Sequence, residues 1–288
     1  MAVSGLTDAV EVTAGGGHTC ARRASGQVVC WGDNQSGQLG DGTTIERHTP
    51  VAVMGLADAV SISAGSRQHT CAVRSSGAVA CWGDAEYGAL GDGAATHSAC
   101  TYAGYPSDCS RTPVTVSGLT DAVEVSLGFM HACARRTSGE VACWGWGDFG
   151  QLGTTAPPEA CTDGTIGVGP HACALTPVAV SGLTDAIQIS AGPQHECATR
   201  ASGAVVCWGD NNQGQIGDGT TERRWTPVEV ASLADAAEVA TGQWHSCARR
   251  ASGAVVCWGD NSLGQLSDGS LTHPTCSSLT PIAVVAPM

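Results

Sequence analysis

The chain has 288 residues, 42% of them hydrophobic but only two of them Phe, and its 26 acidic against 13 basic residues give a formal charge of −13. Every basic residue is Arg. An acidic chain repels phosphate backbones, so no nucleic-acid partner is expected. No apolar run reaches the roughly 18 residues of a membrane-spanning helix, so no membrane insertion is expected either.

The first unit begins with an apolar stretch, "DAVEVTAG", followed by a strand His18-Thr19-Cys20-Ala21 and a turn Ala24-Ser25-Gly26. A Val-rich strand ends in Cys30-Trp31-Gly32, then a loop "DNQSGQLGDGT" leads to an outer strand at Thr49-Pro50-Val51-Ala52-Val53. Short runs bounded by turn residues predict four strands, and a period of 3.6 residues appears nowhere over a useful length. Met1-Ala2-Val3 aligns with Val51-Ala52-Val53, so it competes with the last strand, Pro281 to Val284, for one outer-strand place. Met1 to Gly5 lacks the basic stretch and apolar core of a signal peptide.

The phrase of Cys30 returns at Cys81, Cys143, Cys207 and Cys257, at successive intervals of 51, 62, 64 and 50 residues. Five repeats are read at about 4–53, 54–116, 117–180, 181–230 and 231–285, in a single domain over 1–288. Four-stranded units near fifty residues suit an all-β fold, a β-propeller in which each sheet packs on the next. Gly15 to His18, Gly26-x-Val28-x-x-Trp31-Gly32 and Gly37-Gln38-Leu39-Gly40 stand in the order of the regulator of chromosome condensation repeat, which the chain resembles as a bacterial-type, cysteine-rich variant. The resemblance implies a β-propeller. Its best-known members have seven blades, so five units leave open whether they close a ring or belong to a longer array. The family includes a nucleotide exchange factor for a small nuclear GTPase and an extracellular inhibitor of β-lactamase, and shared fold transfers neither activity.

A three-residue loop with Gly26 in the left-handed position pairs Arg23 with Gln27, and counting outward puts Cys20 opposite Cys30. Alternation makes that a close, non-hydrogen-bonded pair if the closing pair is hydrogen-bonded. The spacing allows a disulfide, and the same reasoning pairs Cys71 with Cys81, Cys133 with Cys143, Cys197 with Cys207 and Cys247 with Cys257. Cys100 with Cys109 and Cys161 with Cys173 read as loop staples. Cys276 is left as a free thiol, an intermolecular bond or a distant partner. Paired cysteines imply an oxidising compartment: secreted, periplasmic or cell-surface.

Two ion readings stand beside this. His18, Cys20 and Cys30 could gather on zinc, as could the units of His69, His131, His195 and His245. The resemblance favours a hydrogen-bonding role, because the family keeps that His without cysteine. Asp-Asn-x-x-Gly and Gly-Asp-Gly suggest calcium but lack EF-hand spacing. No metal and no cofactor are expected. Arg22-Arg23, Arg135-Arg136 and Arg249-Arg250 read as solvated hairpin ends, with anion binding the alternative.

In a four-stranded meander the first and third connections share one face, and here they vary strongly. From the Trp of Cys-Trp-Gly to the Thr of Thr-Pro the units take 19, 31, 33, 19 and 23 residues, so units two and three carry insertions there. Arg67, Gln68, Tyr87, Tyr102, Tyr105, Phe129, Met130, Trp146, Phe149, Gln194 and Trp244 are the candidate binding residues on this face. The competing reading is that they pack their own loops. No catalytic motif is present, so the expectation is a secreted, non-enzymatic module binding protein or glycan. The alternatives are an extracellular structural subunit that self-associates through sheet-edge pairing or Cys276, and a guanine nucleotide exchange factor.

Overall fold

The computed structural model describes residues 3, 5–102, 104–155, 159–161, 171–269 and 277–285, without the side chain of Tyr102. The Cys276 reading and the pairing of Met1-Ala2-Val3 lie outside the described residues. Five antiparallel sheets follow one another along the chain.

Blade 1 is β1 (Ala9–Ala14), β2 (His18–Arg23), β3 (Val28–Gly32) and β4 (Arg47–Ala52), in that order. Blade 2 is β5 (Ala59–Ala64), β6 (His69–Arg74), β7 (Val79–Asp84), β8 (Ser98–Tyr102) and β9 (Tyr105–Thr115), with β9 beside β7 and β8 outermost. Blade 3 repeats that plan with β10 (Ala122–Leu127), β11 (His131–Arg136), β12 (Val141–Trp146), β13 (Glu159–Cys161) and β14 (His171–Ala179). Blades 4 and 5 have four strands each: β15 (Ala186–Ala191), β16 (His195–Arg200), β17 (Val205–Gly209) and β18 (Arg224–Glu229), then β19 (Ala236–Thr241), β20 (His245–Arg250), β21 (Val255–Asp260) and β22 (Ser277–Ala283). The fifth strands of blades 2 and 3 differ from the four-strand expectation. Each insertion is long enough to turn back and pair along the outer edge, which gives its backbone groups partners.

The hairpin register follows from its turn. Gly26 has φ +86°, Arg23 N–H donates to Gln27 O at 2.9 Å, and Cys20 lies opposite Cys30. The Cα atoms of the five hairpin cysteine pairs are 4.0–4.1 Å apart, and all five are disulfides. Cys100–Cys109 and Cys161–Cys173 tie the fifth strands of blades 2 and 3 to their neighbours, making seven bonds. So many intramolecular disulfides fit an oxidising, extracellular setting. The Arg pairs sit at the hairpin ends in ion pairs with their own blade's first strand or its approach: Arg22 with Glu11, Arg23 with Asp8, Arg135 with Glu124, Arg136 with Asp121.

The core is a series of junctions between successive blades. Cys20, Cys30, Val28 and Leu39 of blade 1 pack on Ala59, Ile62, Ala72 and Trp82 of blade 2, and blades 4 and 5 repeat the arrangement through Cys197, Val205, Val239 and Trp258. The hairpin disulfides of blades 1 to 4 therefore face the following blade. Two bonds recur at all four junctions. The first runs from an inner-strand N–H to the preceding turn glycine, as Ala59 to Gly26, Ala122 to Gly77, Ala186 to Gly139 and Ala236 to Gly203, each 2.9 Å. The second is the indole N–H of Trp82, Trp144, Trp208 and Trp258, donated at 2.8–3.0 Å to a carbonyl in the preceding blade's loop.

Candidate functional site: the varied loop face

The invariant part of each loop is structural. A Cβ at Gly15 would stand 2.4 Å from His18 Cε1, which is why glycine precedes each histidine. The histidine then points into the junction. His18 Nε2 meets Thr70 Oγ1 at 2.8 Å and His195 Nε2 meets Ser246 Oγ at 3.0 Å. Burial holds His18 and His69 down to about 4, and His131 and His195 down to about 3, so these rings are neutral. The loop asparagine is equally occupied: Asn34 Nδ2 donates to the carbonyls of Thr43 and Ile45, and Asn211 repeats this with Thr220 and Glu222.

Among the described residues, the one His/Cys/Asp/Glu grouping of ligand-like spacing is His131, Cys133 and Glu196. Cys133 is bonded to Cys143, so its sulfur is no thiolate ligand.

The variable residues of blades 2, 3 and 4 converge above this frame. Arg67, on the loop before β6, puts Nε 3.0 Å from Asp84 Oδ2 and an NH2 group 2.6 Å from Glu86 Oε2. Burial raises the Asp84 carboxyl against the lowering pull of Arg67. The same guanidinium donates to Met130 Sδ at 3.2 Å and lies 5.7 Å from the Phe129 ring centre, so it spans the junction of blades 2 and 3. Tyr87 has φ +56° and sits 6.0 Å from Trp146 and edge-on to His171 at 5.3 Å. Trp146 meets Phe149 edge-on at 4.9 Å and Phe129 at 6.5 Å. From blade 4, Arg223 stands 4.7 Å over Phe149 and 5.8 Å from Trp225, and donates to Asp148 O at 2.8 Å. Asp148 anchors the insertion by bonding to the His171 ring and the Ala172 N–H.

Arg67, Tyr87, Phe129, Met130, Trp146 and Phe149 are thus brought into one cluster. Met130 is buried beneath it, and the other five are half-buried. Gln68 is buried at the floor of a depression of about 680 Å³ that it shares with Arg67 and Phe129 of the cluster and with Asp33 of blade 1, and there its amide donates to Asp33 Oδ2 at 2.8 Å and its oxygen accepts from Ser36 Oγ at 2.7 Å. Gln194 is half-buried on blade 4, and Trp244 is 42% exposed on blade 5 with no ring contact to the cluster. Tyr105 is exposed at the tip of the blade 2 insertion, in register with Tyr102. The inner-strand ends of all five blades line a central depression of about 500 Å³, from Ala14 to Gln243.

Sequence reasoning passed over Arg223 and His171, and counted Trp225 among the aromatics of this face without making it a candidate binding residue. The "ERRW" stretch carried a signal, an aromatic beside two arginines. His171 had none, because its place depends on how the insertion folds back.

The sheets and junctions define a disulfide-clipped propeller of four- and five-stranded blades. A model of the RCC1-like domain matches residues 2–287, and the chain belongs to that family. It is 30% identical over 215 residues to the human E3 ubiquitin-protein ligase HERC2, covering 72% of this chain and 4% of that one. It spans less than half the length of the curated relatives it matches. Human WBSCR16 superposes with a TM-score of 0.77 at 19% identity, over 97% of this chain and 67% of that one. Yeast RCC1 (Prp20), in its structure bound to Kap60, gives 0.54 at 17% identity, over 96% and 75%. Both likenesses concern the fold.

Proposed function

We propose that the chain is a secreted, non-enzymatic recognition module that holds a protein partner on the arginine and aromatic rim of blades 2–4. The observation that carries this reading is the rim itself. Phe129, Trp146 and Phe149 stand half-exposed on a rigid frame, between two guanidinium groups from neighbouring blades. Aromatic and Arg side chains held by packing lose little entropy on binding, which is why they dominate interface energies. Yeast RCC1, a family relative, is itself seen in complex with the protein Kap60. Seven disulfides support the extracellular location.

The test is a comparison of proteins retained from the organism's own extracellular fluid by the wild type and by a Trp146→Ala/Phe149→Ala variant of unchanged disulfide content. Loss of a wild-type partner by the variant supports the rim. Identical retention, or binding only to arrayed glycans, contradicts it.

A further inference from the structure

Blades 1 and 2 build the same acidic turn on the varied face, and blade 2 fills it with an arginine of its own. Asp33 and Asp84 each follow Cys-Trp-Gly, and their N–H groups donate to Gly17 O and Gln68 O, both at 2.9 Å. Two residues on, the N–H of Gln35 donates to Asp33 Oδ1 at 3.2 Å and that of Glu86 to Asp84 Oδ1 at 2.9 Å, so Gln35 stands where Glu86 does. In blade 2 a guanidinium spans the pair, with Arg67 Nε 3.0 Å from Asp84 Oδ2 and an NH2 group 2.6 Å from Glu86 Oε2. Blade 1 has no counterpart of Arg67. Its loop, Gly15-Gly16-Gly17-His18, closes on the same 2.9 Å bond as Gly65-Ser66-Arg67-Gln68-His69 but is one residue shorter and carries no side chain between its ends.

We propose that the hollow over Asp33 and Gln35 is a pocket for a guanidinium group, the side chain of an arginine presented by the protein partner; this rests on the rim as a protein-binding surface and specifies one group that the partner carries. The hollow is the depression of about 680 Å³ bounded by Gly16, Gly17, Asp33 and Gln35 of blade 1 and by Phe129 across from them, with Gln68 at its floor. That volume falls within the roughly 300–1,000 Å³ of ordinary ligand sites. Glycine keeps it open: a Cβ at Gly16 would stand 2.2 Å from Ser66 O, and one at Gly17 3.2 Å from Asp33 Cβ.

Charge selects the guest. The hydrogen bonds of Asp33 come from amides, with Gln38 and Gln68 donating to Oδ2 at 3.0 and 2.8 Å and the Gln35 N–H to Oδ1, and no ion pair among the described residues matches its charge. Asp210 and Asp260 hold the same place in blades 4 and 5 but are only 3% and 7% exposed, whereas Asp33 is half-buried and opens on the depression. Arg67 also lines the depression, yet Asp84 and Glu86 already offset its charge, so it does not repel a second cation. A planar guanidinium fits better than an ammonium, because it gives one N–H to the Asp33 carboxylate and another to Gln35 Oε1, as Arg67 spans Asp84 and Glu86. The Phe129 ring, 5.7 Å from the Arg67 guanidinium, supplies an aromatic wall to the same hollow.

The experiment titrates the full, disulfide-intact chain, labelled with nitrogen-15, with N-acetyl-arginine methylamide and with its lysine and citrulline counterparts. The arginine amide should shift the backbone signals of Gly16, Gly17 and Gln35 saturably, and the other two should bind more weakly, citrulline because it keeps the shape without the charge. Asp33→Asn should weaken arginine binding about tenfold, the loss of a charge-assisted bond. Gln35→Glu, at an exposed position, completes the acid pair of blade 2 and should tighten it about threefold. An otherwise unchanged amide spectrum confirms that both variants fold. Because the amide needs no partner, failure here is separate from failure of the rim, which shows only in partner retention. No saturable shift at these residues, equal affinity for the lysine or citrulline amide, or arginine binding that either substitution leaves unchanged overturns the proposal.

Discussion

His18 Nε2 lies 2.8 Å from Thr70 Oγ1 across the junction of blades 1 and 2, and Thr70 in turn donates to Gln38 O at 3.1 Å. With its proton committed to that carbonyl, the hydroxyl accepts from His18, which fixes the ring with its proton on Nε2. Thr70→Ala removes the acceptor and leaves a buried N–H without a partner. The expected loss is about 1–3 kcal/mol in urea unfolding. A change within a few tenths of 1 kcal/mol contradicts this assignment.

Glu196 occupies the place of Thr70 at the next-but-one junction, with neither carboxylate oxygen hydrogen-bonded and Oε2 3.5 Å from His131 Nε2. Both side chains are fully buried. Burial pushes the Glu196 carboxyl well up and His131 down to about 3, so the pair is held neutral rather than as ions. Glu196→Thr supplies the hydroxyl found at Thr70 and removes an unsatisfied carboxyl. It should stabilise the chain at pH 7 by about 1–3 kcal/mol, read from the same urea midpoints.

The buried histidines set the acid limit. Their folded values, about 4 for His18 and His69 and about 3 for His131 and His195, lie below the ordinary 6.5. The unfolded chain therefore binds more protons, and stability falls as pH drops through 6.5 and keeps falling to the folded values. Glu196, raised, works the other way and offsets one proton. A net uptake of about three protons corresponds to roughly 4 kcal/mol per pH unit at its steepest. Urea midpoints at pH 7, 6 and 5 should decline steeply, and a flat series contradicts neutral buried rings.

Cys133–Cys143 lies wholly buried between blades 3 and 4, while Cys247 on blade 5 is part-exposed. Each bridge closes a short loop whose turn already restricts the unfolded chain, so entropy accounts for at most roughly 3 kcal/mol. Replacing both cysteines by Ala also opens a cavity at the blade 3 site. The Cys133→Ala/Cys143→Ala variant should lose more stability than Cys247→Ala/Cys257→Ala, as compared by thermal melts.

Much of the fold was legible because its determinants are local. Gly26 fixes the turn, the turn fixes the register, and the register puts Cys20 opposite Cys30. The added edge strands β8 and β13 were not legible, since they form only after an insertion finds a distant edge. The rim was half legible: Phe129, Trp146 and Phe149 break the repeat pattern, whereas Arg223 joins them through the placement of blade 4 beside blade 3.

The most direct measurement of the clipped-blade architecture is intact mass of the undenatured and denatured protein after alkylation without reduction. The account places fourteen of the fifteen cysteines in bonds within the chain, so it predicts at most one added alkyl group even in denaturant. Uptake of ten or more groups would show open hairpin thiols and contradict both the bridged blades and the oxidising location built on them.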